Sequence, residues 1–187
     1  MSSDKILLKN VRVSYPSLFR KSIMKGETDQ SKAQYQCTFI LDKEEHATSI
    51  KRLQREIQKT LEEKFGKGKA PRKYKCCLAD GDLEDAEELE GKYRLRTASA
   101  TVRPNVVNKD MSPITEEDDI IYAGCYVHAT VSLWAYDHPK GGKGVSANIR
   151  AVMFHKDGEP FGAGPVDVED EFGDLTEEDL EGDDFLD

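Results

Sequence analysis

Alternating apolar segments, one amphipathic helix set among them and a closing run of acids predict a mostly β protein with a minor α component. The expected class is a five-stranded, OB-like Greek-key barrel with the helix at one end, followed by a disordered acidic C-terminal tail. Three observations predict it: period-two patterning in five segments, a period near four after residue 42, and an abrupt change of charge near residue 167. The same list of elements also fits other small barrels.

The first strand is read over residues 5–15. Ile6 and Leu8 are two apart, the phase slips at Lys9 and Asn10, and Val11 and Val13 resume it, which predicts a bulge or bend. A polar loop is expected from Pro16 to about Gln30. In the second strand Tyr35, Cys37, Phe39 and Leu41 alternate with Gln34, Gln36 and Thr38. The stripe Ala47, Ile50, Leu53, Ile57, Leu61, Phe65 then marks the helix, with a capping-box-like Asp42/Glu45 pair before it and Gly66 placed to end it.

Residues 66–91 read as an irregular connection, basic in Lys67, Lys69, Arg72, Lys73 and Lys75 and then acidic from Asp80 to Glu90. Alternation returns over residues 92–102. The last two strands, residues 124–136 and 143–154, are joined by a segment containing Pro139, Gly141 and Gly142, the residues a hairpin loop needs.

The formal charge of −9 conceals two opposite halves. Residues 167–187 hold twelve acids and no Lys or Arg, so residues 1–166 carry all 27 basic side chains against the remaining 24 acids, a net +3. This divides the chain into a mildly basic domain at 1–166 and an acidic tail at 167–187. Of the four cysteines, none forms a C-x-x-C half-site, so no metal is expected; they read as reduced thiols, with Cys37 and Cys125 as small core residues. No apolar stretch approaches the ~20 residues of a membrane span and the first residues lack a secretory pattern, so a cytoplasmic protein without membrane or cofactor partners is expected.

Alternation places Cys125, Val127, Ala129, Val131, Leu133 and Ala135 on one face and Tyr126, His128, Thr130, Ser132, Trp134 and Tyr136 on the other. In the partner strand Val145, Ala147, Ile149, Ala151 and Met153 should face in, with Arg150 out; Arg94 and Arg96 alternate with Tyr93 and Leu95. Exposed rings beside arginines make a stacking platform for unpaired bases, since every base offers a π-face, and arginine adds phosphate contacts. The expected DNA-contacting set is Arg12, Tyr15, Arg94, Arg96, Tyr126, Trp134, Tyr136, Lys140, Lys143 and Arg150. For Trp134 and Tyr126 a role under a helix or at a homodimer interface stands beside DNA contact. Phe19 fits barrel closure better than a base clamp, and Lys140 and Lys143 also fit a solvated loop. In the tail, Phe172, Asp183, Asp184 and Phe185 belong to an acidic, apolar-studded segment suited to competing with DNA and docking on basic pockets of partners.

The segments NVRVSYPSLF (10–19), YAGCYVHATVSLWAY (122–136), GKGVSANI (142–149) and DGEPFG (157–162) resemble a family of phage and prophage single-stranded DNA-binding proteins. The resemblance spans nearly the whole chain. It implies an OB-fold with an acidic C-terminus, a cytoplasmic setting in the infected host, and support of replication or recombination by coating single strands and recruiting other proteins. A homodimer or a DNA-induced oligomer is the self-association expected beside it. Here Phe185 is followed by Leu186 and Asp187, a departure from tails that end in an aromatic residue.

Two other classes stay open at this level. Asp80, Asp82, Glu84 and Asp85, or residues 116–119, are acids of the kind that hold Mg²⁺ in a nuclease. An acidic DNA mimic is the other, although the +3 body argues against it. Duplex DNA is a further ligand that phosphate contacts alone would accept.

Overall fold

The computed structural model describes residues 4–24, 26–161 and 168–180. Its centre is a closed barrel of five strands: β1 (Ile6–Ser22), β2 (Gln34–Asp42), β5 (Lys92–Ser99), β7 (Tyr126–His138) and β8 (Gly142–Lys156). β1 pairs antiparallel with β2 and β7, β2 with β5, and β7 with β8. Closure comes from a short parallel pairing of β5 with β8, Thr97 opposite Ala147 and Ala98 opposite Asn148. The five-stranded barrel expected from the sequence is present, with the helix following its second strand.

Three short strands were not expected. β3 (Lys75–Cys76) lies parallel to the start of β8, β4 (Leu78–Asp80) pairs with β5, and β6 (Asn105–Val107) runs parallel to β8. The connection at 66–91, read as irregular, therefore supplies two edge pairings. Likewise β1 runs on through Pro16 to Ser22, where a loop was expected, while the strand expected to reach residue 102 ends at Ser99.

Apolar phase decides what fills the barrel. Ile6, Leu8, Val11 and Val13 are all buried, and they share one face only because the chain bulges between Leu8 and Val11, with Asn10 at φ 53°. Two histidines hold that bulge. The Asn10 N–H donates to His128 Nδ1 (3.0 Å), and His46 Nε2 lies 2.9 Å from the Asn10 carbonyl. Phe39, fully buried, sits between Val13 on β1 and Leu95 on β5.

A second bulge corrects the sequence reading of β8. Thr130 pairs with Ala151 but Val131 pairs with Ile149, so Arg150 is the extra residue. Beyond it the face inverts: Val152 is buried, whereas Ala151 and Met153 are only partly so.

The helix α1 (Ala47–Phe65) buries Ile50, Leu53, Ile57 and Leu61 along one stripe, packed chiefly against β7. Gly66, at φ 102°, ends it as expected. The Asp42/Glu45 pair does not cap it: Asp42 Oδ1 accepts from the N–H groups of Glu44 and Glu45 and shapes the turn before the helix, which starts after His46.

Residues 168–180 carry two short helical segments, α2 (Val168–Phe172) and α3 (Glu177–Leu180), with every side chain exposed. Acids crowd the first turn of each, where the helix dipole favours negative charge. At α3 the Thr176 N–H donates to Asp179 Oδ2 (2.9 Å), which closes the turn locally. No described helix is long and apolar enough to cross a membrane.

Candidate nucleic-acid interface

Strand register sets the outward side chains in rows around the barrel. One row runs from Trp134 on β7 to Ser146 on β8, and then, across β5 and β2, from Arg96 to Thr38 and on to Ser14 of β1. Between Ser146 and Arg96 a wedge enters: the Cys77 N–H donates to the Val145 carbonyl (3.1 Å), and the Cys77 carbonyl accepts from the Arg96 N–H (2.9 Å). Rings mark both ends of the row. Trp134 is 46% exposed and tilted against Tyr136 at 5.6 Å, while Tyr15 follows Ser14 and is 82% exposed.

Tyr15 holds φ 47°, a region that a bulky residue rarely occupies, where the β1–β2 register breaks between Ser14 and Ser17. The left-handed residue takes Tyr15 out of the ladder and leaves its ring exposed. At the other end Gly144 lets the hairpin close under Tyr136, since a Cβ there would collide with the Tyr136 hydroxyl and crowd the Lys75 carbonyl. Lys140 and Lys143 are exposed on this hairpin, and Lys143 Nζ sits 5.1 Å from the Phe65 ring centroid.

Arg96 is exposed and has no carboxylate within ion-pair distance among the described residues. Burial of part of its side chain and then the charge of Arg94 lower its pKa, while Glu84 opposes them. A cation so placed gains from an arriving phosphate. Beside it, a hydrogen bond from Cys77 lowers the Cys76 thiol to about 7, and Cys76 is exposed whereas Cys77 is buried.

The other expected arginines are placed differently. Arg94 is held by Glu84, Nε lying 2.6 Å from each carboxylate oxygen. Arg12 donates from Nε to the Gly124 carbonyl (3.1 Å) and from its Nη2 to the Glu159 carbonyl, with its guanidinium 4.1 Å from the Phe161 ring centroid and 5.7 Å from that of Tyr126. Arg12 thus ties the segments around residues 124 and 159 together, and Tyr126 packs in that knot with Lys156 Nζ 4.9 Å from its ring centroid. Arg150 is exposed at the β8 bulge. Register thus gathers Tyr15, Arg96, Trp134, Tyr136, Lys140 and Lys143 along the row and its hairpin, and leaves Arg12, Arg94 and Tyr126 in structural bonds. Thr38 and Ser146, both on the polar side of the expected alternation, were not among the expected contacts, nor was the 75–77 wedge; the cation-rich run before Cys76 was the signal that could have found the last.

Of the acids read as Mg²⁺ ligands, Asp80, Asp82 and Glu84 are engaged by Lys43 and Arg94. Asp80 and Asp82 grip Lys43 at 2.7 and 2.5 Å; this contact lowers the Asp80 carboxyl pKa, and the Gly91 N–H first, then Lys43, lowers that of Asp82. Phe172 is 60% exposed on α2; Asp183, Asp184 and Phe185 lie outside the described residues.

At the β1 bulge His128 stacks beside His155, ring centroids 4.5 Å apart, and its pKa is lowered from 6.5 by burial first, then by His155, Lys9 and Lys109. The folded state thus binds this proton less readily than the unfolded chain, so the neutral ring's stabilisation holds above about pH 6.5 and is lost as pH falls through the depressed value. We expect the melting temperature to fall between pH 7 and pH 5, and His128→Gln to flatten that dependence. An equal slope in the variant would refute the assignment.

Five-stranded barrels of this order present the outer face of their second and third strands, β2 and β5 here, together with two flanking loops, to oligonucleotides or oligosaccharides. This chain belongs to one class of such proteins, since the family model of the Enterobacter phage Enc34 ssDNA-binding protein matches residues 4–186. It is 36% identical over 180 residues to protein p50 of Acyrthosiphon pisum secondary endosymbiont phage 1, covering 92% of this chain and 94% of that one. The structure of the bacteriophage Enc34 single-stranded DNA-binding protein in complex with ssDNA superposes with a TM-score of 0.72 at 28% identity, over 84% of this chain and 89% of that one. The single-stranded DNA-binding protein gp2.5 of bacteriophage T7 shares the fold, with a TM-score of 0.60 at 17% identity over 94% and 96% of the two chains.

Proposed function

We propose that this protein binds single-stranded DNA with little regard to sequence and coats it during phage replication and recombination inside the infected host, acting by binding rather than catalysis. The observation that carries the proposal is the outward row from Trp134 through Arg96 to Tyr15, rings at its ends and an unpaired guanidinium between them. Bases would stack on Trp134, Tyr136 and Tyr15, while Arg96, Lys140 and Lys143 take phosphates. Arg150, exposed at the β8 bulge, would add a separate phosphate contact; Arg94, Arg12 and Tyr126 would act mainly by keeping the surface in shape.

Residues 1–166 would form the binding domain and 167–187 an acidic extension, with Phe172, Asp183, Asp184 and Phe185 in the segment that competes for the basic surface and docks on replication or recombination proteins. Membership of the phage ssDNA-binding family and the Enc34 complex with ssDNA support this reading.

Salt-titrated binding of matched single-stranded and duplex oligonucleotides, with Trp134 emission as reporter, tests it. The expected result is tighter binding of the single strand with quenching of Trp134, both weakening as salt rises. Equal affinity for the duplex with unaltered emission would contradict it, and so would strand cleavage in the presence of Mg²⁺.

A further inference from the structure

Beyond the row lies a second cationic surface that neither the fold nor the bonds within the protein require. From the last turn of α1 to β3, Lys64, Lys67, Lys69, Arg72, Lys73 and Lys75 are all exposed, and residues 64–77 contain no acid. None of the six is in an ion pair among the described residues, whereas Lys32, Lys43, Lys59, Arg20 and Arg94 each have a carboxylate partner. Placing so many like charges together costs self-repulsion that a bound polyanion would relieve.

The dipole of α1 explains part of this. Cations are favoured beyond a helix C-terminus, but the effect fades within a turn and does not reach Arg72, Lys73 or Lys75. The last of them reaches β8 instead: Lys75 pairs with Gly144, and Cys77 bonds Val145 on one side and Arg96 on the other. Lys143 over the Phe65 ring draws the hairpin towards the helix end. The second surface is therefore continuous with the row at the 75–77 wedge.

We propose that this surface is a second stretch of the nucleic-acid path, gripping phosphates of the strand after it leaves the barrel row; the proposal rests on the single-strand reading above. A polynucleotide fits better than a short acidic peptide because the six exposed cations follow one another along the chain from the helix end to the wedge, where Lys75 lies two residues from the Cys77 carbonyl that bonds Arg96.

The test uses the full chain carrying K67A/K69A/R72A/K73A, four exposed positions, with the R72A/K73A double variant as a milder check and thermal melting as a control for folding. Binding is measured against salt for oligo-dT of about 8 and about 20 nucleotides, one within and one beyond the ~4–16 nucleotides that a single barrel of this type covers. At about 0.7 in the log–log salt slope per phosphate on single strands, the quadruple variant should lose about 3 units of slope on the long strand, the double variant about half of that, and neither should change on the short one. Unchanged slopes on both lengths, or equal losses on both, would overturn the proposal while leaving single-strand binding standing. Unchanged slopes together with lost binding of a synthetic 168–180 peptide would also overturn it, assigning the surface to the acidic segment. If the unaltered protein ignored both oligonucleotides, the single-strand reading itself would fall.

Discussion

Replacing Trp134 by alanine should weaken binding of a labelled single strand on the order of 10- to 100-fold, the ~1–3 kcal/mol that one base stacked on an aromatic ring contributes. The ring is 46% exposed and leans on Tyr136 rather than into the core, so truncation opens no cavity. The melting temperature should therefore stay nearly constant while affinity falls, and Trp134→Phe should recover part of the loss by restoring a flat ring. Anisotropy of the labelled strand reads the affinity, because the variant has no tryptophan left. A drop in melting temperature or a change of oligomeric mass, with affinity intact, would assign Trp134 to packing or to an interface between copies.

Phe39→Ala should have the largest effect on stability, a loss of about 3–5 kcal/mol. Phe39 is fully buried between Val13 and Leu95, where three barrel strands meet, and closed strands cannot collapse to fill the space it leaves. Against the usual 5–15 kcal/mol for a folded domain that loss is severe. In urea the midpoint should fall with the slope unchanged, because the surface exposed on unfolding stays the same. A loss under about 1 kcal/mol would mean that the barrel is not packed around this ring.

Much of this architecture was legible in the chain because it is written in local phase. The bulge at Asn10 shows as a slip between Leu8 and Val11, the helix as a change of period after Asp42, and the hairpin as Pro139 and paired glycines between two long alternations. What was not legible depends on partners far along the chain. β3 and β4 are only two and three residues long and exist because β8 and β5 offer free edges. The β8 bulge at Arg150 lies in a run, Ala151, Val152, Met153, whose apolar side chains fit either face, so alternation does not fix the register there.

The same distinction governs the candidate site. Alternation put Trp134 and Arg96 outside the barrel, and they are exposed. It could not foresee that Arg12 would be taken by the carbonyls of Gly124 and Glu159, 112 and 147 residues away, or that Glu84 would hold Arg94. A basic residue in a strand pattern is available for a ligand only if folding brings it no acceptor. In the acidic segment the described structure is local: Asp179 accepts from the Thr176 N–H within one turn, and such a bond needs no core.

The location of the strand is the claim on which the rest depends, and amide and indole chemical shifts of the isotopically labelled protein during titration with a short oligo-dT would report it directly. Shifts should concentrate at Trp134, Ser146, Arg96, Thr38, Tyr15 and the 140–143 hairpin, with little movement around His128 and His155. Shifts gathered at the His128–His155 pair or the Arg12–Tyr126 knot, with a silent Trp134 indole, would place the DNA on another face and contradict this account.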